Sequence, residues 1–219
     1  MMNCLLCQTP NAGAFKVEKK PERAYFSCAQ CDLIFMEPEQ RLGPLEEKAR
    51  YDQHENEPTA GYNAFFEPLV KSIQEYFASA QLPPDQLTVL DYGSGPTELL
   101  SKIMTGKGFK TFNYDLYYNP NQEQLRRTYH VITCTEVWEH LYEPRRDIER
   151  ILRLLKAGGV LGVMTSTHKG EAAFHDWHYR RDPTHVVFFS EKTMNWIAQE
   201  FKLQIIKSKS PYFLFQKMY

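Results

Sequence analysis

Neither sign of charge prevails in this 219-residue chain: 26 Lys and Arg stand against 27 Asp and Glu, a formal net charge of −1. That balance removes the electrostatic footprint of a dedicated nucleic-acid binder, and 42% hydrophobic residues exclude a disordered chain. The pairs Arg126-Arg127, Arg145-Arg146 and Arg180-Arg181 read as solvated faces. Long apolar runs are missing too. The longest, from Gly158 to Met164, falls far short of the roughly 20 residues that cross a bilayer. Met1-Met2-Asn3-Cys4 lacks the apolar core of a signal peptide, so a soluble, cytoplasmic protein is expected, with no membrane partner. Glycine and proline, 11 and 13 residues, are too few for a collagen-like or low-complexity chain. The length suits one large α/β domain and a small appendage.

Cysteine is scarce but placed. Cys4, Cys7, Cys28 and Cys31 form two Cys-x-x-Cys pairs, the arrangement in which two tight turns offer four thiolates to one tetrahedral Zn²⁺. A disulfide pair suits a reducing compartment poorly. A redox Cys-x-x-Cys normally sits at a strand-helix junction, whereas Tyr25-Phe26 and Leu33-Ile34-Phe35 read as short strands around the second pair. The expectation is a zinc-ribbon-like unit over residues 1–37 whose four ligands leave no open position for catalysis. Cys134, within the apolar run 131–134, reads as a buried strand residue.

Residues 38–61 read as a linker, with turn-rich ends at 38–44 and 58–61 and a short charged helix between. From Tyr62 to Ala80, apolar residues recur at three- and four-residue spacing, as on an amphipathic helix. The pattern then alternates: strands at 87–91, 111–114, 129–134 and 160–164, and helices at 96–105 and at 145–156, the latter stopped by Gly158-Gly159. Ser190 caps a helix to Phe201, and 203–206 with 212–215 close the chain as a strand pair. This is a doubly wound Rossmann-like α/β sheet with an antiparallel C-terminal end.

The first of these strands ends Asp91-Tyr92-Gly93-Ser94-Gly95-Pro96 and leads into a helix, so two glycines allow a sharp turn and close approach of a ligand. A dinucleotide fingerprint would need a third glycine where Glu98 stands, and that carboxylate opposes a pyrophosphate. The Asp-x-Gly-x-Gly motif resembles motif I of the class I S-adenosylmethionine-dependent methyltransferases. The resemblance extends over residues 87–166: Asp115 matches the acid that ends the second strand, 135–141 the segment after the fourth, and Leu155 to Gly159 the turn before the fifth. It implies a methyltransferase domain over 62–219 with cofactor residues Asp91, Tyr92, Gly93, Ser94, Gly95, Tyr114, Asp115, Thr135 and Glu136, Asp115 accepting from the ribose hydroxyls. Zinc ribbons precede this domain in some members, among them sugar C-methyltransferases and a ribosomal-RNA guanine methyltransferase. The chain departs from the pattern twice: Thr97 replaces the third motif I glycine, and Asp115 to Tyr129 is too short for the usual third strand. The adenine contact normally taken from that strand is then missing, and Tyr117 and Tyr118 offer a flat surface instead.

For the acceptor side, His140, His178 and His185 are the candidate catalytic residues, the last two in a segment from His175 to His185 expected to fold over the site. Neutral histidine takes a proton near pH 7, although His185 also reads as a core histidine satisfied by Asp182. Glu136, Glu139 and His140 are spaced as on one helical turn. A similar group binds a divalent metal in small-RNA 2′-O-methyltransferases and ubiquinone-pathway O-methyltransferases, and also occurs in members not known to use metal. The expected reaction is methyl transfer from S-adenosylmethionine to a small metabolite or sugar. An RNA acceptor, a non-catalytic zinc-ribbon adaptor and an NAD-dependent oxidoreductase stay open as alternatives.

Overall fold

The computed structural model describes residues 2–53 and 60–218. Strands β1 (Gly13–Val17), β2 (Arg23–Ser27) and β3 (Ile34–Met36) form an antiparallel sheet around the four cysteines. Helix α1 (Pro44–Tyr51) follows, and α2 (Ala60–Ser79) buries Phe66, Leu69, Val70, Ile73 and Phe77 at the predicted helical spacing. Residues 54–59, with part of the expected break at 58–61, lie outside the described residues.

The alternating region delivers β4 (Thr88–Tyr92), α3 (Leu99–Gly106), β5 (Lys110–Tyr114), β6 (Tyr129–Thr135), α4 (Pro144–Leu154) and β7 (Leu155–Met164). A short α5 (Glu171–Phe174), the two-residue β8 (Val187–Phe188), α6 (Glu191–Glu200), β9 (Leu203–Lys209) and β10 (Tyr212–Lys217) complete the chain. The main sheet has the order β5-β4-β6-β7-β10-β9. Its first four strands are parallel, and β10 runs antiparallel to β7 and β9. The central strands β4 and β6 are buried nearly throughout, as parallel strands covered on both faces must be. No strand lies between β5 and β6 among the described residues, only the 3-10 turn Gln122–Arg126, so β5 is an edge and the third strand is absent as its length predicts. Phe112 on that edge is covered by the Arg127 guanidinium, 5.5 Å from its ring.

Two local expectations are corrected. The helix predicted from Pro96 begins only at Leu99, because Glu98 takes a left-handed conformation (φ 51°). The helix predicted to run to Lys156 and stop at the glycines ends at Leu154; Gly158 and Gly159 instead fall in the irregularity where the β6–β7 register jumps. A side chain at Gly159 would sit 2.9 Å from two main-chain carbonyls.

The N-terminal unit has no core of its own. β8 joins its sheet beside β3, with Ile34 opposite Phe188 and Phe35 opposite Val187. One apolar cluster runs from Cys4, Tyr25 and Phe35 through Phe174 and Phe188 to Trp138, Ile148 and Phe215 under the main sheet. The opposite face packs under α2 and α3. The ribbon thus packs on the same face as the main sheet through β8, a segment too short and generic to announce its partner in the sequence.

Candidate functional site

Strand order reverses beside β4, and ligands in such sheets bind at the carboxyl ends of the strands around that point. Gly93 turns the chain there with φ +81°, and an added Cβ would lie 2.4 Å from Val137 Cγ2, so no other residue fits. A Cβ on Gly95 would meet nothing within 4 Å. The Gly95 N–H donates to Asp115 Oδ2 (2.9 Å), while Tyr117 and Tyr118 N–H groups donate to Oδ1 (2.9 and 3.0 Å). Asp115 thus organises its own turn as well as facing the cavity; Oδ1 already accepts twice, and Oδ2, with one donor, keeps acceptor capacity. Asp91, buried at the end of β4, accepts from the Thr133 hydroxyl (2.9 Å). Burial pushes its carboxyl up to about 7 against the pull of that hydrogen bond, with repulsion from Asp115 and Glu98 adding to the rise. Ser94 Oγ is buried without a hydrogen-bond partner.

These groups line a cavity of about 570 Å³. All nine cofactor candidates, from Asp91 to Glu136, lie on its wall, as do His140 and His185. So do residues the sequence reading passed over. Glu47 and Tyr51, on the α1 helix of the supposed linker, and Phe65 and Phe66, read only as core, form part of its wall. The Tyr51 and Tyr117 hydroxyls donate to the buried Glu47 carboxylate (2.8 and 2.7 Å), and Tyr118 donates to Asp52 (2.7 Å). The i, i+4 pair Glu47 and Tyr51 was the available signal, but its partners are some 70 positions away and invisible to spacing. Tyr117 and Tyr118 do line the cavity, with their hydroxyls tied to α1.

At the other end, Glu136 takes φ 52° at the exit from β6, and a 3-10 turn (Trp138–His140) follows, so Glu136, Glu139 and His140 do not share one α-helical turn as predicted. The Tyr179 hydroxyl donates to both Glu136 and Glu139. Burial, with repulsion between the two carboxylates, pushes Glu136 up to about 9, and burial raises Glu139 as well. His140 and His185 lie with ring centroids 4.8 Å apart. His185 Nδ1 meets the Tyr179 carbonyl, not Asp182, whose carboxylate takes Thr184 N–H, the Thr184 hydroxyl and Arg50.

Only part of the 175–185 segment reaches this site. His178 is exposed and off the cavity wall, which removes it from the acceptor side. His175 lies 6.0 Å from Phe15, ring centroid to ring centroid, Asp176 pairs with Lys19, and Arg180, 1% exposed, is buried against the N-terminal unit. The segment is a seam with the N-terminal unit at one end and cavity wall at the other.

The four cysteines converge. Cys4 and Cys31 sulfurs are 3.5 Å apart, Cys7 and Cys28 sulfurs 3.4 Å, and all four lie within 4.8 Å of one another. These spacings exceed the roughly 2.05 Å of a disulfide and approach the edge of a tetrahedron with metal–sulfur bonds of about 2.3 Å. A hydrogen bond from the Cys31 thiol draws Cys4 down to about 5, while burial raises Cys28 to about 11.

A family model described as a methyltransferase domain matches residues 47–208, and the chain belongs to that family. It is a methyltransferase of the class I, S-adenosylmethionine-dependent type. Among solved structures it is similar to 1,6-didemethyltoxoflavin N1-methyltransferase of Burkholderia thailandensis, determined with its substrate and S-adenosylhomocysteine bound. That match has TM-score 0.55 at 12% identity and covers 95% of this chain and 100% of that one. A weaker likeness, TM-score 0.48 at 15% identity over 78% of this chain and 91% of that one, is to magnesium protoporphyrin IX methyltransferase of Synechocystis PCC 6803. At 12% identity the first of these likenesses shows the fold. No curated protein sequence matches the chain. Among the described residues, no helix is long and apolar enough to cross a membrane.

Proposed function

We propose that this enzyme methylates a small metabolite, sugars included, and that the cavity at the end of β4 holds S-adenosylmethionine beside that acceptor. The observation that carries the reading is one continuous cavity wall running from the Gly93–Gly95 turn and Asp115 to His140 and His185. The residues present fit the cofactor: Asp115 has acceptor capacity for ribose hydroxyls, Ser94 Oγ awaits a partner, and space is open over Gly95. Asp91, Tyr92, Gly93, Ser94 and Gly95 would hold the methionine end, Tyr114 and Asp115 the ribose, with Thr135 and Glu136 closing the wall. Tyr117 and Tyr118 stand where adenine would stack. Bound there, the cofactor supplies an electrophilic methyl group on a cationic sulfur.

The chain's own part is placement and charge. A cation near Asp91 favours its ionised form, which burial otherwise opposes. The aromatic side chains of Tyr51, Phe65 and Phe66 give the cavity wall an apolar stretch against which an acceptor would pack. His140 and His185 sit where an acceptor hydroxyl or amine would lie, to bind it or take its proton, a contribution of typically about 10²–10⁴ in rate. The net charge of −1 favours a small molecule over RNA.

The Cys4, Cys7, Cys28 and Cys31 set would hold one structural Zn²⁺, closing the turns at 4–7 and 28–31 within the 1–37 unit. Calorimetric titration with S-adenosylmethionine and S-adenosylhomocysteine tests the central reading. Binding of both in the micromolar range supports it; the absence of binding by folded, zinc-loaded protein refutes it.

A further inference from the structure

We propose that Glu139, His140 and His185 form a second metal site, which takes a divalent cation at the acceptor end of the cavity. One ligand-capable atom from each residue lies within 4.8 Å of the other two. Whatever the shape of that triangle, a point within about 2.8 Å of all three exists, and inward shifts of under about 1 Å reach the roughly 2.0–2.2 Å of a metal bond.

Two independent observations make this more than proximity. Glu139 is fully buried; Tyr179 donates to its Oε1, but Oε2 has no hydrogen-bond partner. A buried carboxylate oxygen in that condition is costly unless a charge or metal pairs with it. Both imidazoles, moreover, turn Nδ1 to a main-chain carbonyl: His140 to Thr184 O at 3.0 Å and His185 to Tyr179 O at 2.7 Å. A carbonyl only accepts, so each ring is held as the Nδ1–H tautomer, whose basic nitrogen is Nε2. Metal-binding histidines are oriented in this way, by a hydrogen bond from the nitrogen that does not ligate.

The set is not the one that sequence spacing groups together. Glu136 gives way to His185, and stays beside Glu139, to which it is linked directly and through the shared Tyr179 hydroxyl (3.1 Å). The fold makes the exchange by running the 184–188 segment beside the 3-10 turn, where Val186 N–H donates to Glu139 O (2.8 Å). Two imidazoles and one carboxylate suit a borderline-to-hard divalent ion and leave positions open for water or an acceptor oxygen. An acceptor hydroxyl bound there would release its proton to solvent. Its oxygen would then bond the methyl carbon while the carbon–sulfur bond breaks toward sulfur. With the cation in place His140 and His185 are ligands rather than bases. This acceptor chemistry rests on the function proposed above, whereas ion binding does not.

The test uses full-length protein carrying one equivalent of zinc and titrated with Mn²⁺, free Mn²⁺ being followed by electron paramagnetic resonance. One Mn²⁺ per chain is expected, bound at least ten-fold more weakly by Glu139→Gln and by His185→Ala, with zinc content unchanged. Glu139→Gln is isosteric, and His140→Gln serves if either variant fails to fold. Absence of Mn²⁺ binding by the wild type, or binding that folded variants retain, overturns the proposal. S-adenosylhomocysteine titrated into the same preparations keeps the two ideas apart. Mn²⁺ binding without it upholds the ion site and sinks the cofactor reading; its binding without Mn²⁺ does the reverse.

Discussion

Arg180 offers the sharpest test of how the N-terminal unit is held. Its guanidinium is 1% exposed and spends its donors on main-chain carbonyls: Nε and Nη2 to His175 O (3.1 and 3.0 Å), Nη1 to Pro21 O (2.9 Å) and Nη2 to Lys19 O (3.0 Å). Arg180→Met keeps the length of the side chain and removes all four bonds. A hydrogen bond to a charged group contributes about 1.5–3 kcal/mol, but four bonds to three carbonyls are not additive, and Lys19 lies at the surface where water can replace the donor. A loss of about 3–5 kcal/mol is therefore expected. For a chain of this size each kcal/mol lowers the melting temperature by about 2–4 °C, which gives a fall of roughly 6–20 °C by scanning calorimetry. Hydrogen exchange should rise first in β1, β2 and the 175–185 segment, since Arg23 also donates to Arg180 O and Asp182 O along the same seam. A fall of under about 3 °C, or exchange that rises uniformly, would refute the view that this residue clamps the unit to the catalytic sheet.

Asp115→Ala should weaken S-adenosylhomocysteine binding by about 1–3 kcal/mol, through lost ribose contacts and a loosened Gly95 turn, and Asp115→Asn by less; calorimetry showing wild-type affinity in the alanine variant would place the ribose elsewhere. Metal analysis should find about one zinc per chain, lost in Cys28→Ser; zinc-free wild-type protein with an intact fold contradicts that assignment. His185→Ala should cut turnover while sparing S-adenosylhomocysteine affinity, and the exposed His178→Ala should change neither; equal losses in both variants would contradict the placement of these residues. Asp91, raised to about 7 from its ordinary 3.8, keeps in the folded state a proton that the unfolded chain releases. Its contribution to stability therefore declines as pH rises from about 4 to about 7, so Asp91→Asn should flatten the fall in melting temperature of ligand-free protein across that window. Parallel pH profiles for the two proteins would contradict the shift.

What the sequence made legible was local. β4, β5, β6, α6 and the closing strand pair follow from runs and caps, Ser190 for example accepting from Thr193 N–H as its position predicts. The missing strand after β5 was legible from a bare count of residues, because a crossover has a minimum length. Nine residues of the cavity wall were legible because they sit at strand ends, and strand ends are where periodicity stops. What escaped was non-local. Glu47 and Tyr51 gain their meaning from Tyr117, and Tyr179 from Glu136 and Glu139, contacts that no spacing rule encodes. His178 was misplaced for a related reason: position after β7 puts a segment near the cavity, but Arg180 and Asp176 anchor its first half against the N-terminal unit instead.

The same contacts alter what the cysteine unit is for. β3 hydrogen-bonds to the chain that carries His185 through Met36 N–H to Val186 O (2.8 Å), and Val186 N–H in turn reaches Glu139 O (2.8 Å). From the cysteine turns to the His140 end of the cavity there are then three steps: β3, the 184–188 segment and the 3-10 turn of Glu139 and His140. Every step is a main-chain hydrogen bond or a strand pairing within one buried cluster. Loosening the cysteine turns should therefore reach His140 and His185 before it reaches Gly93 and Asp115, which hang from β4 and β5 on the far side of the sheet order. In the Cys28→Ser protein, acceptor turnover should fall further than S-adenosylhomocysteine affinity at temperatures where the main sheet stays folded. A variant that loses zinc yet keeps full turnover would show that β8 holds the acceptor wall without help from β3.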